Sequence, residues 1–250
     1  MKEPEGGIRP SNKAALRGEP SYVWREGQKR RMEMMLSAAG NLIKGKVFID
    51  GCGVGGYLTQ LAEQAQMAVG LDIELERTQA AGQKGSLVIC GAGENLPLPD
   101  NYFDIVLSHE VLEHVQDDYR AVQEIFRVLR RGGRLLLFCP NRWYPFETHG
   151  MYWHGKYKFG NIPLINYLPR SLRDKLAPHV RAYAKKDLER LFADLDIRYI
   201  RRTVIFGAYD NIIACWPVFG KALRRVLQLL ERTPLRIFGL SHFWVIERMA

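Results

Sequence analysis

The sequence predicts an α/β fold, a largely parallel sheet with helices on both faces, and three observations predict it. Strand-like and helix-like segments alternate between residues 46 and 139. One strand candidate, Val47-Phe48-Ile49-Asp50, runs through Gly51-Cys52-Gly53-Val54-Gly55-Gly56 into a helical pattern, the arrangement that cradles a nucleoside cofactor at a sheet edge. A second carboxylate, Asp72, follows roughly 20 residues later. It ends the run Ala68-Val69-Gly70-Leu71, where it can accept hydrogen bonds from a ribose diol.

Taken in order, residues 1–19 mix proline, glycine and charge without an apolar period and read as a mobile tail. Residues 20–45 carry a helical signal from Tyr22 through Met32, Met35 and Leu36, expected to form an N-terminal lid. Strands are expected at 46–50, 67–71, 86–90, 103–108 and 134–139, with helices at 56–65, 74–82 and 118–129 between them. Arg130-Arg131-Gly132-Gly133 supplies glycine where the last of these helices must close.

Residues 140–180 break the rhythm with prolines at 140, 145, 163, 169 and 178 and a dense set of aromatics. An insertion after a strand's C-terminal end lies on the rim where such sheets bind ligands. A helix at 185–193, a strand at 196–204 and a final strand around His242-Phe243-Trp244-Val245-Ile246 complete the domain that begins at 46. The segment 217–238 is basic and amphipathic, with Phe219, Leu223, Val226, Leu227 and Leu230 near one face, suiting either a core-facing helix or an interfacial one.

Bulk properties bound the function. A chain of 250 residues with 47% hydrophobic composition builds a substantial core, most simply one domain with an elaboration. Cys52, Cys90, Cys139 and Cys215 are scattered without CxxC spacing, which reads as reduced thiols in a cytoplasmic protein. The net charge of +9 favours polyanions or an anionic membrane surface as contacts. No nucleic-acid reading module accompanies it, so no obligate nucleic-acid partner is expected.

The glycines of GxGxxG alone leave a nicotinamide or flavin dinucleotide open. Ile49-Asp50-Gly51-Cys52-Gly53-Val54-Gly55-Gly56, followed by Gly91-Ala92-Gly93-Glu94 through Asp104 and by Ser108-His109-Glu110-Val111-Leu112, resembles the class I S-adenosylmethionine-dependent methyltransferases of small-molecule type. The resemblance covers roughly residues 46–139 and implies a Rossmann-like seven-stranded sheet with S-adenosyl-L-methionine as cofactor. It implies that Asp50, Gly51, Cys52 and Gly53 hold the cofactor's amino-acid end, Asp72 its ribose, and Ile73, Ala92, Gly93 and Glu94 its adenine side. Ser108, His109 and Leu112 become its further neighbours. Where the family commonly carries an aspartate this chain has Ala92, which shifts recognition of the adenine amino group to backbone or water.

Such an enzyme methylates a small or lipophilic acceptor, with oxygen the favoured atom. An RNA methyltransferase and a noncatalytic cofactor-binding or membrane-interaction scaffold are the alternatives. His149 is the candidate base for an oxygen acceptor, with Arg142, Tyr144 and Glu147 beside it and Tyr22 and Trp24 covering the pocket. His109 and His114 are five positions apart, not the four of a zinc-binding HExxH, so no metal is expected. Contact with an anionic membrane is expected to be peripheral at most.

Overall fold

The computed structural model describes residues 24–249. The expected tail and Tyr22 lie outside them. Helix α1 (Glu26–Ala39) places Met32, Met35 and Ala39 on one stripe against the sheet. Strand β1 (Lys46–Asp50) leads through the glycine turn into α2 (Gly56–Ala62), then β2 (Met67–Asp72), α3 (Leu75–Gly82) and β3 (Leu87–Cys90). Strand β4 (Phe103–His109), helix α4 (Asp118–Val128) and β5 (Leu129–Pro140) follow. The Asp117 carboxylate caps α4 by accepting from the Arg120 amide at 2.9 Å.

Beyond β5 come four short strands, β6 (Phe146–Glu147), β7 (Met151–Trp153), β8 (Lys156–Lys158) and β9 (Ile162–Pro163), and helix α5 (Arg170–Leu176). They pair as two small antiparallel sheets, β6 with β9 and β7 with β8. Helix α6 (Lys185–Leu191), β10 (Ile197–Ile205), α7 (Asp210–Cys215), α8 (Pro217–Leu230) and β11 (Ser241–Arg248) complete the chain.

The seven-stranded sheet runs β10-β11-β5-β4-β1-β2-β3. Strands β1 to β5 pair in parallel, whereas β11 is antiparallel to both β5 and β10. Alternation along β4 shows why two cores form: Val106 packs with Phe48, Leu71 and Phe126 on one face, while Ile105 and Leu107 pack with Val47, Ile49 and Met35 on the other. Each of these fully buried side chains contributes about 1.5–3 kcal/mol from removal of apolar surface.

The glycines at 132 and 133 act differently from the expected helix cap. Helix α4 ends at Val128 and the chain enters β5 directly. The pairing then jumps from Phe103–Leu129 to Ile105–Arg134, so residues 130–133 bulge out, with Gly132 at φ +73°.

Helix α8 departs from core packing. Gly220 alone is buried, and Val218, Phe219, Val226 and Leu229 are exposed. The periodicity read from the sequence is present, but its apolar side has solvent beside it. No helix among the described residues is long and apolar enough to cross a membrane.

Candidate functional site

Parallel pairing puts the C-terminal ends of β1, β2 and β4 along one sheet edge, with Asp50 opposite both Leu71 and Ser108. The connections leave β1 and β4 in opposite directions, which opens a crevice at that edge. Gly51, Gly53 and Gly55 all have positive φ, and a Cβ on Gly51 would sit 2.1 Å from Val111 Cγ2. Only glycine keeps the turn that close to the crevice wall.

Asp50 is buried and accepts from the Ser108 hydroxyl at 3.1 Å through Oδ2, while its Oδ1 has no hydrogen-bond partner. Burial pushes this carboxyl up to about 7, against the Ser108 hydrogen bond and with the charges of Glu94 and Asp72 adding to the rise. Asp72 ties the turn to β2, accepting from the Gly53 amide at 2.9 Å and the Glu74 amide at 2.9 Å. Glu94 Oε1 accepts from the Gln116 amide at 2.7 Å, which fixes the loop before α4. The Cys52 thiol is pushed up to about 12 by burial, so it stays protonated and unreactive.

Helix α1 closes the crevice from the N-terminal side. Arg31 donates to His109 Nε2 at 2.6 Å, to Glu110 Oε1 at 3.0 Å and to the Ser241 hydroxyl at 3.1 Å. Burial and the Arg31 charge hold the His109 imidazole down at about 3, so it is neutral and its Nε2 lone pair receives the guanidinium. Trp24 stacks edge-on against Tyr57, which in turn packs on His109. Glu110 is held at φ +56°, a left-handed backbone that a non-glycine residue adopts at a cost.

The opposite wall is built from two distant pieces of chain. Glu113 and His114, just after β4, meet His149, between β6 and β7. His149 Nδ1 lies 3.1 Å from Glu147 Oε1, and Glu147 Oε2 accepts from Arg173 at 2.8 Å. Arg173 is only 1% exposed and also donates to the Val180 carbonyl at 2.7 Å. Burial alone would raise Glu147, but its contacts with His149 and Arg173 hold it at about 2. Tyr157 and His179 donate to the His149 carbonyl at 2.6 and 3.0 Å.

Glu113 is 1% exposed, and neither of its carboxylate oxygens has a hydrogen-bond partner. Burial pushes it well above the usual carboxylate range, and the neighbouring Glu110 charge adds to that. Burial and the nearby His149 lower His114 to about 4, and its Nδ1 is likewise buried without a partner.

One cavity of about 1550 Å³ joins the two walls. Asp50, Gly51, Cys52, Gly53, Asp72, Ile73, Ala92, Gly93, Glu94 and His109 line one end, with Trp24 at the mouth. Arg142 and His149 line the other.

Four expected site residues stand elsewhere. Leu112 is in the apolar core under α4, and Val111 takes the wall position instead. Ser108 acts through Asp50 and does not reach the cavity. Tyr144 is not a wall residue; its ring packs on Phe146 and its hydroxyl pairs with Tyr209. Glu147 lies behind His149 as its support. Arg142 keeps its place in the cavity but spends one guanidinium nitrogen on the Leu168 carbonyl at 2.7 Å.

Sequence reasoning missed Arg31, Arg173 and the convergence of Glu113 with His149. The exclusion of a metal weighed only His109 against His114, whereas the grouping that forms is Glu113, His114 and His149.

The family model described as a methyltransferase domain matches residues 50–137. A probable S-adenosylmethionine-dependent methyltransferase of Mycolicibacterium smegmatis is 34% identical over 116 residues, 45% of this chain and 45% of that protein. A demethylmenaquinone methyltransferase of Corynebacterium urealyticum is 31% identical over 115 residues, covering 46% of this chain and 47% of the relative. The chain thus spans about half the length of these curated relatives. An S-adenosylmethionine-dependent methyltransferase from Mesorhizobium loti shares the fold at a TM-score of 0.60 and 18% identity, covering 86% of this chain and 96% of that one. The YcgJ protein of Bacillus subtilis aligns at a TM-score of 0.58 and 20% identity, over 89% of this chain and 99% of its own.

Proposed function

The chain belongs to the class I S-adenosylmethionine-dependent methyltransferases, and from that membership we propose that it transfers a methyl group to a small or lipophilic acceptor, at oxygen. The observation that carries this reading is the single cavity running from the glycine turn to His149. A cofactor cradle alone would serve a binding protein; a cradle opening onto a polar, histidine-bearing wall gives an acceptor somewhere to react.

The residues fit the cofactor. Asp50 offers a buried oxygen with no partner, which suits an ammonium group. The Gly51 and Gly53 backbone leaves room for the amino-acid end, and each Asp72 oxygen retains a lone pair for a ribose hydroxyl beyond the amide it already accepts. Ile73, exposed at the cavity rim beside Ala92, suits the face of adenine. When bound, S-adenosylmethionine supplies an electrophilic methyl carbon on a sulfonium.

What this chain contributes is position, exclusion of water and handling of a proton. Trp24, Tyr57 and Arg31 cover the mouth of the crevice. Glu147 fixes the His149 ring through Nδ1, leaving Nε2 to serve an oxygen acceptor, either by taking its proton or by holding an ion that ionises it. Arg142, Tyr157 and Phe159 add a charge and two rings at the acceptor end. One relative is named for acting on demethylmenaquinone and another, from Triticum aestivum, for acting on phosphoethanolamine at nitrogen, so the acceptor's class is read from this chain's own wall.

Peripheral membrane contact belongs to the same reading. Trp216, Val218 and Phe219 are 69%, 86% and 62% exposed at the start of α8, and Lys221 and Arg225 on the same helix are exposed beside them. Apolar and basic residues together suit the interface of an anionic bilayer. Helices α7 and α8 are tied to α1, because Arg30 of α1 pairs with Glu231 at 2.6 Å and the Gly27 amide donates to Asp210 at 3.3 Å.

The test combines calorimetric titration of S-adenosylmethionine, with a nicotinamide dinucleotide as control, and labelled-methyl transfer to lipid, metabolite and RNA extracts. Selective binding with label in a small or lipid-soluble product supports the proposal. Label in RNA, or binding with no turnover on any extract, would replace it with the RNA-directed or the noncatalytic reading.

A further inference from the structure

Glu113, His114 and His149 form a cluster that hydrogen bonding leaves incomplete. One ligand atom from each lies within 4.8 Å of the others. Two atoms that each sit about 2.1 Å from a shared ion are at most about 4.2 Å apart, so small side-chain rotations close the set. The carboxylate is buried, and neither oxygen finds a donor. Proteins rarely leave a buried polar group without a partner.

The imidazoles are prepared for the same task. His149 Nδ1 faces Glu147 at 3.1 Å, so its proton sits there and the Nε2 lone pair is directed away from that carboxylate. Glu147 is in turn held by the buried Arg173 at 2.8 Å. A carboxylate oriented behind a histidine in this way is the usual outer support of a metal-bound imidazole. His114 Nδ1 is buried without a partner, and its ring stands edge-on to His149 at 5.2 Å. Glu110, the nearest further carboxylate on this turn, spends Oε1 on Arg31 and Ser241, and its side chain also faces Glu113.

We propose that Glu113, His114 and His149 bind a single divalent cation of the zinc class at the acceptor end of the cavity, with Glu147 and Arg173 as its outer support. Two imidazoles and one carboxylate suit zinc, cobalt, manganese or iron, whereas magnesium and calcium prefer all-oxygen sets. Three protein ligands leave at least one coordination position open, and all three residues line the cavity, so the open position faces it. Binding of the ion stands apart from the methyl-transfer reading. Its consequence for catalysis rests on that reading: an acceptor hydroxyl bound at the open position loses its proton to solvent more readily, and the resulting alkoxide or phenolate is held for attack.

The experiment uses the full chain, stripped with a chelator and dialysed. Zinc and cobalt(II) are titrated by calorimetry, the zinc content of the reloaded protein is measured, and the cobalt(II) absorption spectrum is recorded. One ion per chain is expected, with a cobalt spectrum characteristic of nitrogen and oxygen ligands. Glu113→Gln, His114→Ala and His149→Ala should each weaken binding by at least about tenfold, and Glu147→Gln by about 10–100-fold. His154→Ala, at an exposed histidine outside the cluster, should leave it unchanged.

Circular dichroism and S-adenosylmethionine titration of each metal-free variant verify that it is folded. Folded wild-type protein that takes up neither ion, or takes them up equally well in the Glu113, His114 and His149 variants, would overturn the proposal. Cofactor binding without metal binding sinks the ion alone. Metal binding without cofactor binding sinks the methyl-transfer reading and leaves the ion site standing.

Discussion

The two ends of the cavity are built by different means. At the cofactor end, strand tips and a glycine turn present backbone amides, and Asp72 is satisfied by two of them, from Gly53 and Glu74. At the acceptor end, charged side chains are buried against one another: Arg173 on Glu147, Glu147 on His149, His149 beside Glu113. A backbone cradle is local and tolerates substitution of most side chains that surround it. A buried ionic web depends on every member, because removing one partner strands the charge on the other.

That contrast makes the largest predicted effect an acceptor-end one. Arg173→Ala should destabilise the protein by about 3–5 kcal/mol, since it leaves Glu147 buried without the guanidinium that pairs with it. Urea denaturation measures it. A loss below about 1 kcal/mol would mean the buried pair contributes no more than an exposed one and would erase the contrast.

Gly51→Ala probes the other end. The substitution forces a Cβ into Val111 Cγ2 at φ +69°, and a loss of about 1–3 kcal/mol is expected together with weaker cofactor binding. Unchanged binding in calorimetry would show that the turn does not approach the ligand.

Asp50 gives the comparison a pH axis. Its carboxyl is raised to about 7 in the folded chain, chiefly by burial, so its contribution to stability is full below the unfolded value near 4 and is lost as pH rises through 7. A ligand ammonium reverses the preference by favouring the carboxylate. Cofactor affinity should therefore fall by about tenfold per pH unit below 7, with a proton released on binding in that range. Calorimetry in buffers of different ionisation enthalpy reads both, and Asp50→Asn should abolish the proton release.

The smallest effect on folding is expected outside the cavity. Val218→Asp on the exposed face of α8 should change stability by no more than about 0.5 kcal/mol while reducing co-sedimentation with anionic vesicles. Equal sedimentation of the variant would remove α8 from the membrane reading.

The same contrast governs what the sequence disclosed. Strands β1, β2, β4 and β5 were legible because both sheet faces are covered there, which demands unbroken apolar runs such as Val47-Phe48-Ile49, and because the chain must turn sharply on glycine at Gly51. Asp50 and Asp72 were legible for the same reason: each ends its strand. Leu112 misled because its segment follows β4 as an irregular turn, where helical spacing cannot say which side chain faces the core. Arg173 was illegible since Arg-Ser-Leu-Arg-Asp-Lys-Leu reads as a solvated helix, and only the fold of the rim segments buries one of its arginines under Glu147. Nothing along the chain links Glu113 to His149 either; the return of the chain past β6 brings them together. The α8 periodicity was visible, but a period reports an apolar side and not what covers it.

The Arg31 latch carries a consequence for biosynthesis. Arg31 holds β4 through His109 and Glu110, and β11 through Ser241, a partner 210 residues away in sequence. A growing polypeptide that has emerged from the ribosome only as far as β10 already contains every residue of the glycine turn and of the His149 wall. Of the three Arg31 partners it lacks only Ser241. Helix α1 therefore gains its contact with β11 last, after its partners on β4 have emerged.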